Sequence, residues 1–326
     1  MTRVILTSSS GATLKRNGED IADAVIPFTF RFVWGQLPSA DKLASYLGKG
    51  TGKHAQGNHW SDFVRWPRDV GPLPLRLVEF CRSFETVELW FDPNPNDQLQ
   101  LIWLLDHLCL HPDVLPRLKL GLVSFGLNSI PLKGLGNLQV PLVDVTGKEL
   151  ETASRSWQAY RATTPEACVD LLAKDLSALP LLRPVLTDLL NELPSRTTGL
   201  GATEMRMLEL IARGYSLTNA LFHLRSLRRT RIFDEWEHGY LLDGLALGPK
   251  PAVAGLDDAL RTIDRENLED RHKAYLRSRL SLTEFGKAIV AHKEDFSRHN
   301  PIDRWWGGTH LTNDNLWRWD PVLTAP

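Results

Sequence analysis

Hydrophobic and polar positions follow two rhythms along this chain, and the change between them falls near residue 147. In the first part, short apolar runs at 4–6, 25–33, 86–91, 118–125 and 140–143 are bounded by turn-forming residues, which predicts buried strands. Between them, apolar residues recur at helical spacing over 38–47, 73–84 and 98–110, and Ala12 to Arg16 reads as a helix start. Residues 48–58, rich in Gly, Lys and His, read as a loop. Strands alternating with helices predict an α/β domain over 1–147, with a mostly parallel sheet covered on both faces.

Beyond residue 147 the period-2 signal disappears, and Pro165, Pro180, Pro184 and Pro194 punctuate helical segments. Residues 148–198 therefore read as a helical connector and 199–326 as a further, mainly helical domain. There Thr203 is expected to cap a helix that runs to Arg213 and ends at Gly214. Ser216 opens a second helix through Leu224, and a third covers 233–247. A short strand at 279–283 leads into a closing helix at 284–292. Three helices, a strand and a closing helix predict a winged-helix-like unit, followed by a Trp-rich tail. The charged stretch 256–278 reads as an exposed helix or an insertion.

Charge narrows the partners. Lys and Arg number 38 against 39 Asp and Glu, so there is no overall excess to attract nucleic acid or anionic lipid. The longest apolar segment, 99–110, is too short for a bilayer and is interrupted by Gln100, Asp106 and His107, so no membrane role is expected. The first residues lack the pattern of a signal peptide. Cys81, Cys109 and Cys168 are far apart and form no C-x-x-C pair, which points to buried thiols in a reducing, cytoplasmic compartment.

Candidate chemistry collects at a few places. Ser8, Ser9, Ser10 and Gly11 lie where the first strand meets a helix, so their hydroxyls and N–H groups, with Lys15, read as a cradle for a small anion or as simple helix caps. The run from Asp92 to Asp97 follows a buried strand at the edge where open α/β sheets bind ligands. It reads equally as a rigid turn with Asn96 or Asp97 capping the next helix. Near the C-terminus, Arg304, Trp305 and His310 offer an anion clamp, a stacking plate and a titratable ring. The alternative is that the tryptophans there only glue the tail down, with Asp303 and Arg304 as a supporting ion pair.

Other candidates are weaker. A Ser9, His310 and Asp92 triad lacks the nucleophile elbow that would support it. His107 and His111 share helical spacing, but Cys109 points elsewhere and no second ligand pair follows, so no metal is expected. His54 and His59 read as solvated loop residues. Arg225, Arg228, Arg229 and Arg231 could hold phosphates, yet six arginines meet six acids from Thr203 to Leu247, and Asp234, Glu235, Glu237 and Asp243 fall in the helix that would enter a groove. A protein partner is the expectation over nucleic acid. No cofactor is indicated.

Several segments together resemble a bacterial family known only as a domain of unknown function: Glu88 to Phe91 with Asp97 to Leu101, Gly199 to Glu204, Ile302 to Leu311, and Trp317 to Asp320. The resemblance spans most of the chain and brings no established activity with it. The family's first turn carries an Asn-Gly-Asp-Ser run, where this chain has Leu6-Thr7-Ser8-Ser9. Ser8 thus stands in the place of an acid, and Phe30 and Trp34 stand where the family has a second acidic pair. Chemistry that needs those carboxylates is lost here. The expectation is a binding or regulatory protein, with two alternatives left open: an enzyme on a phosphorylated or nucleotide-like substrate, and a winged-helix DNA-binding regulator.

Overall fold

A computed structural model describes residues 2–15, 21–50, 55–64, 74–127, 139–224, 232–257, 264 and 266–320, with the backbone alone for Thr13 and Lys15. Contacts gather the chain into two units, each discontinuous in sequence: Met1–Phe32, Leu37–Arg161 and Asp170–Val185 in the first, and Val33–Gln36, Ala162–Val169 and Leu186–Pro326 in the second. The stretch 148–198 is accordingly shared between the two units. No helix among the described residues is long and apolar enough to cross a membrane.

The first unit is α/β. Strands β1 (Arg3–Ser8), β2 (Ala24–Phe28), β3 (Thr86–Trp90) and β4 (Leu118–Gly121) are parallel in the order β2-β1-β3-β4, and β5 (Leu142–Asp144) adds antiparallel to β4. Leu6 lies beside Ile26 on one side and Leu89 on the other, and Leu89 beside Leu120, so a continuous apolar row crosses the sheet. Such rows need cover on both faces, because runs of apolar residues leave no side for water. On the face that carries Ile5 and Trp90, Leu14, Ile21, Val25 and Val123 complete a buried cluster.

Helix α1 (Ala40–Leu47) is capped by Ser39, and α2 (Leu77–Cys81) precedes β3. Helix α3 (Pro95–Leu108) is buried nearly all round, polar residues included. It starts three residues earlier than the apolar spacing suggests. Asn94 is the cap, its Oδ1 accepting from Asp97 N at 3.0 Å, and Pro95 takes the first helical position, where its missing N–H costs nothing. Trp103 of α3 meets Phe28, Phe30, Phe32 and Tyr46, and Phe32 packs on Trp157 of α4 (Gly147–Tyr160), which lies along α3. The strand expected over 25–33 ends at Phe28, since the next residues turn their side chains into this aromatic cluster.

Two other expectations shift. The segment after β1 is a 3₁₀ turn, Ser9–Lys15, in place of an α-helix. Gly11 there is a packing residue, because a Cβ would stand 2.1 Å from Thr7 Oγ1, and that hydroxyl donates to Trp90 O at 2.6 Å. The segment 118–125 leaves the sheet after Gly121.

The second unit is mainly helical, and α5 (Glu166–Leu172) and α6 (Leu182–Asn191) bridge the stretch between units. Around Met207, Leu208, Leu221, Leu242, Val253 and Ile289 pack α7 (Ala202–Ala212), α8 (Thr218–His223), α9 (Glu235–Ala246), β6 (Val253–Ala254), α10 (Leu268–Leu276), β7 (Ser281–Leu282) and α11 (Glu284–Val290). Thr203 lies inside α7, and Asp234 with Glu237 forms a reciprocal cap at the start of α9. The tail folds as a hairpin, β8 (Asp303–Trp306) with β9 (Thr309–Thr312). Gly199, at φ +69°, lies so close to Asp295 and Ser297 that only glycine fits.

Gly11→Ala is expected to lower the urea midpoint clearly, by the roughly 1–3 kcal/mol typical of overpacking, whereas Ala at the exposed neighbour Ser9 leaves it nearly unchanged. Equal midpoints for the two variants would refute the packing role of Gly11.

Candidate functional site

The first turn of α3 organises the carboxyl edge of the sheet. Its side chains are polar yet buried, so each must find a partner. Asn96 Oδ1 accepts from Phe32 N at 2.8 Å and its Nδ2 donates to Phe30 O at 3.0 Å. Gln100 donates to the same carbonyl at 2.8 Å, and Gln98 donates to Asp92 O at 2.8 Å. Asp97 accepts from the Ser8 hydroxyl, and Ser8 Oγ in turn accepts from Ser10 N at 3.2 Å. The loops after β1, β2 and β3 are therefore all tied to one helical turn.

Ser8 and Asp97 thus come together, although both are almost fully buried. Burial raises the Asp97 pKa, against the hydrogen bonds from Ser8, Asn94 and Ser10 and the charge of Arg31, which lower it. A second carboxylate at position 8 would face Asp97 directly, and Ser8 replaces that repulsion with a donor. Ser9 is exposed and Ser10 half-buried at the mouth of this edge. Asp92 is closed off: its Oδ1 accepts from Leu127 N at 2.9 Å and it is 3% exposed. Phe30 packs within 4.7 Å of the Tyr46 ring and 5.2 Å of Trp103, surroundings that would strongly disfavour a carboxylate. The Lys15 side chain lies outside the described residues.

Beside this edge, where α3 passes over β4, lies a cleft of about 210 Å³. Phe91, Gln98, Leu101 and Leu120 line it, with the segments after β4 and before α6. The apolar runs marked these residues only as core. No periodicity reveals a gap between packed elements.

In the second unit the candidate residues of the tail have partners of their own. Arg304 Nη1 donates to Glu204 Oε2 at 2.8 Å and its Nη2 reaches Glu192 O at 3.5 Å. Asp303 pairs with His310 at 2.7 Å instead of with Arg304, and Trp305 stacks on His310 at 4.5 Å between centroids. Trp306 Nε1 donates to Leu189 O at 2.6 Å, and Trp319 Nε1 to Asn191 Oδ1 at 3.1 Å. These contacts hold the tail within its own unit. Ser8 and Asp97 belong to the other unit.

Glu192 went unnoticed in the sequence. It is buried, accepting from Thr203 Oγ1 at 2.6 Å and Thr203 N at 3.2 Å. Burial raises its pKa to about 7, opposed by the Thr203 hydrogen bonds and by Arg304, while the Glu204 charge adds to the rise. Thr203, expected as a cap, is thereby spent on Glu192.

His59 is buried, with Nδ1 2.7 Å from Ser61 Oγ and Nε2 3.1 Å from Gly48 O, and is no solvated loop residue; His54 lies outside the described residues. Helix α3 ends before His111, and burial lowers the His107 pKa to about 4. Among the described residues no group of His, Cys, Asp or Glu could hold a metal ion, and the three cysteines are free. Arg225, Arg228, Arg229 and Arg231 lie outside the described residues. No family model matches the chain, and no curated protein is significantly similar to it.

Ser8→Ala is expected to cost roughly 1–3 kcal/mol, because a buried acceptor loses its donor. The loss should grow as pH rises, since an ionised Asp97 suffers most, and urea unfolding across a pH series checks it. For Glu192 the native state holds the proton more tightly than the unfolded chain. Its contribution to stability is therefore fully present below about pH 4.5, falls as pH rises towards about 7 and is flat above. The fall is roughly 3 kcal/mol at most, and Glu192→Gln should flatten that part of the pH profile while keeping an acceptor for Thr203.

Proposed function

We propose that this chain is a binding protein with a regulatory role, in which the α/β unit takes a small molecule at the carboxyl edge of its sheet. The observation that carries this reading is the strand order. From β1 the chain goes to β2 on one side, while from β3 it goes to β4 on the other, so the connections leaving β1 and β3 run in opposite directions and open a crevice between the ends of these two strands. Ser9 and Ser10 follow β1 on one side of that crevice, and the 91–94 loop with the first turn of α3 follows β3 on the other.

Binding fits better than catalysis. Ser8 and Asp97 spend their polar groups on each other and are shielded from water, Asp92 holds a backbone N–H, and Phe30 stands among rings. None of these is poised to move a proton to or from a substrate. A small anion, expected from the serine hydroxyls, would meet Asp97 close behind the turn. A ligand that presents neutral groups there suits the charge better.

The second unit supports a winged-helix-like reading. Leu217, between α7 and α8, forms an isolated antiparallel bridge with Arg279, and β7 pairs antiparallel with β6, with α10 lying between these two strands in sequence. Of the acids counted against a groove-entering helix, Glu237 caps α9 and Asp243 is buried. The exposed side chains of α9 include Trp236 and Tyr240, at 42% and 48%, stacked on His272 and Trp34. Aromatic surface of this kind favours a protein partner over phosphate.

A thermal-shift screen of nucleotides, sugar phosphates, metabolite acids and neutral aromatic compounds tests the reading. A true ligand at about a hundred times its Kd should raise Tm by on the order of 5 °C, remain chemically unchanged on incubation and lose its effect in Ser9→Trp. A screen without any stabilising compound, or a hit that is turned over, refutes it. A salt-dependent gel shift abolished by Arg228→Ala with Arg229→Ala would replace the protein partner with nucleic acid.

A further inference from the structure

The segment that brings Asp97 to Ser8 also brings Phe91 and Gln98 into the cleft beside β4. Phe91, Leu101 and Leu120 are nearly fully buried and form its depth. Leu122, Ser124 and Pro180 are exposed and form its rim, with Leu181 half-buried beside them. No lining residue is charged, and the carboxamide nitrogen of Gln98 is already committed to Asp92 O.

Size and lining together select an occupant. A dry apolar cavity of ~150 Å³ is enough for benzene. About 210 Å³ leaves room for two fused rings. A charged group placed here would lose its hydration and find no counter-charge among the lining side chains, so it would be rejected relative to the uncharged ring of the same shape. Burial of the ring surface against Phe91, Leu101 and Leu120 supplies the driving force.

We infer that this cleft is a binding site for the planar, uncharged apolar part of a small molecule, one to two fused rings in size. The inference rests on the reading of the carboxyl edge as a ligand site, and it gives the ligand's chemical class. The polar part of such a molecule would lie toward the rim, where Ser124 is the accessible hydrogen-bonding side chain.

The test uses indole, with tryptamine and indole-3-acetate as charged counterparts carrying the same ring. Binding to the full chain is followed by ligand-observed NMR and by Tm. Indole should bind the wild-type protein at millimolar concentration or better, at least tenfold more tightly than either charged compound. Ser124→Trp and Leu181→Trp each place a ring at the rim and should weaken indole at least tenfold. Both positions avoid the deepest packing, and an unchanged urea midpoint in either variant shows that its fold is kept. Absence of indole binding to the wild type, binding undiminished in a folded rim variant, or preference for a charged analogue overturns the inference. A ligand from the wider screen that is lost in Ser9→Trp but unaffected by Ser124→Trp would refute the cleft while the edge site stands. If no compound of any class binds, the reading of the edge falls as well.

Discussion

The first turn of α3 is buried while rich in polar side chains, and the arrangement of the α/β unit depends on satisfying them. An unpaired buried amide or carboxylate costs as much as several favourable contacts provide. Asn96, Asp97 and Gln98 meet that demand by reaching out to the loops after β1, β2 and β3, while Asn94 caps the helix itself. Three chain segments distant in sequence are thereby held at one edge of the sheet. The cleft beside β4 is a consequence of that edge, since Gln98 lines it.

Buried acids are handled in the same way in both units. Asp97 and Glu192 each have a raised pKa caused first by burial, and each is held by a hydroxyl, from Ser8 and Thr203 respectively. Neighbouring hydroxyls make such buried acids tolerable. Arg304 offsets the second site by pairing with Glu204 beside Glu192. Perturbed carboxylates often mark catalytic centres, but here their partners are structural and their access to water is small. Ser8 donates to Asp97, and Phe30 joins a ring cluster that includes Trp103.

Glu88 to Trp90 belong to β3 and Asp97 to Leu101 to α3, while Gly199 to Glu204 and Ile302 to Leu311 meet through Arg304 and Glu204. The tail tryptophans follow the same logic, since Trp306 and Trp319 both donate to acceptors in residues 189–191.

Much of the frame was legible from the residues. Apolar runs of strand length placed β1, β3 and β4 correctly to within a few residues, because a fully buried strand has no alternative to continuous hydrophobicity. Asn94-Pro95 was a readable cap signal, and missing it shifted the start of α3 and hid the direction of Asp97. Local pattern alone thus determined the α/β character of the first unit and the mainly helical character of the second, but not the 3₁₀ turn after β1 or the hairpin of the tail. Which polar groups meet was decided by tertiary structure. Ser8 and Asp97 lie 89 positions apart and Arg304 and Glu204 100 apart, and their pairing follows from strand order and helix packing rather than from neighbouring residues. The cleft is further still from sequence pattern, because a cavity is the space that packed elements leave unfilled, and no single residue encodes it.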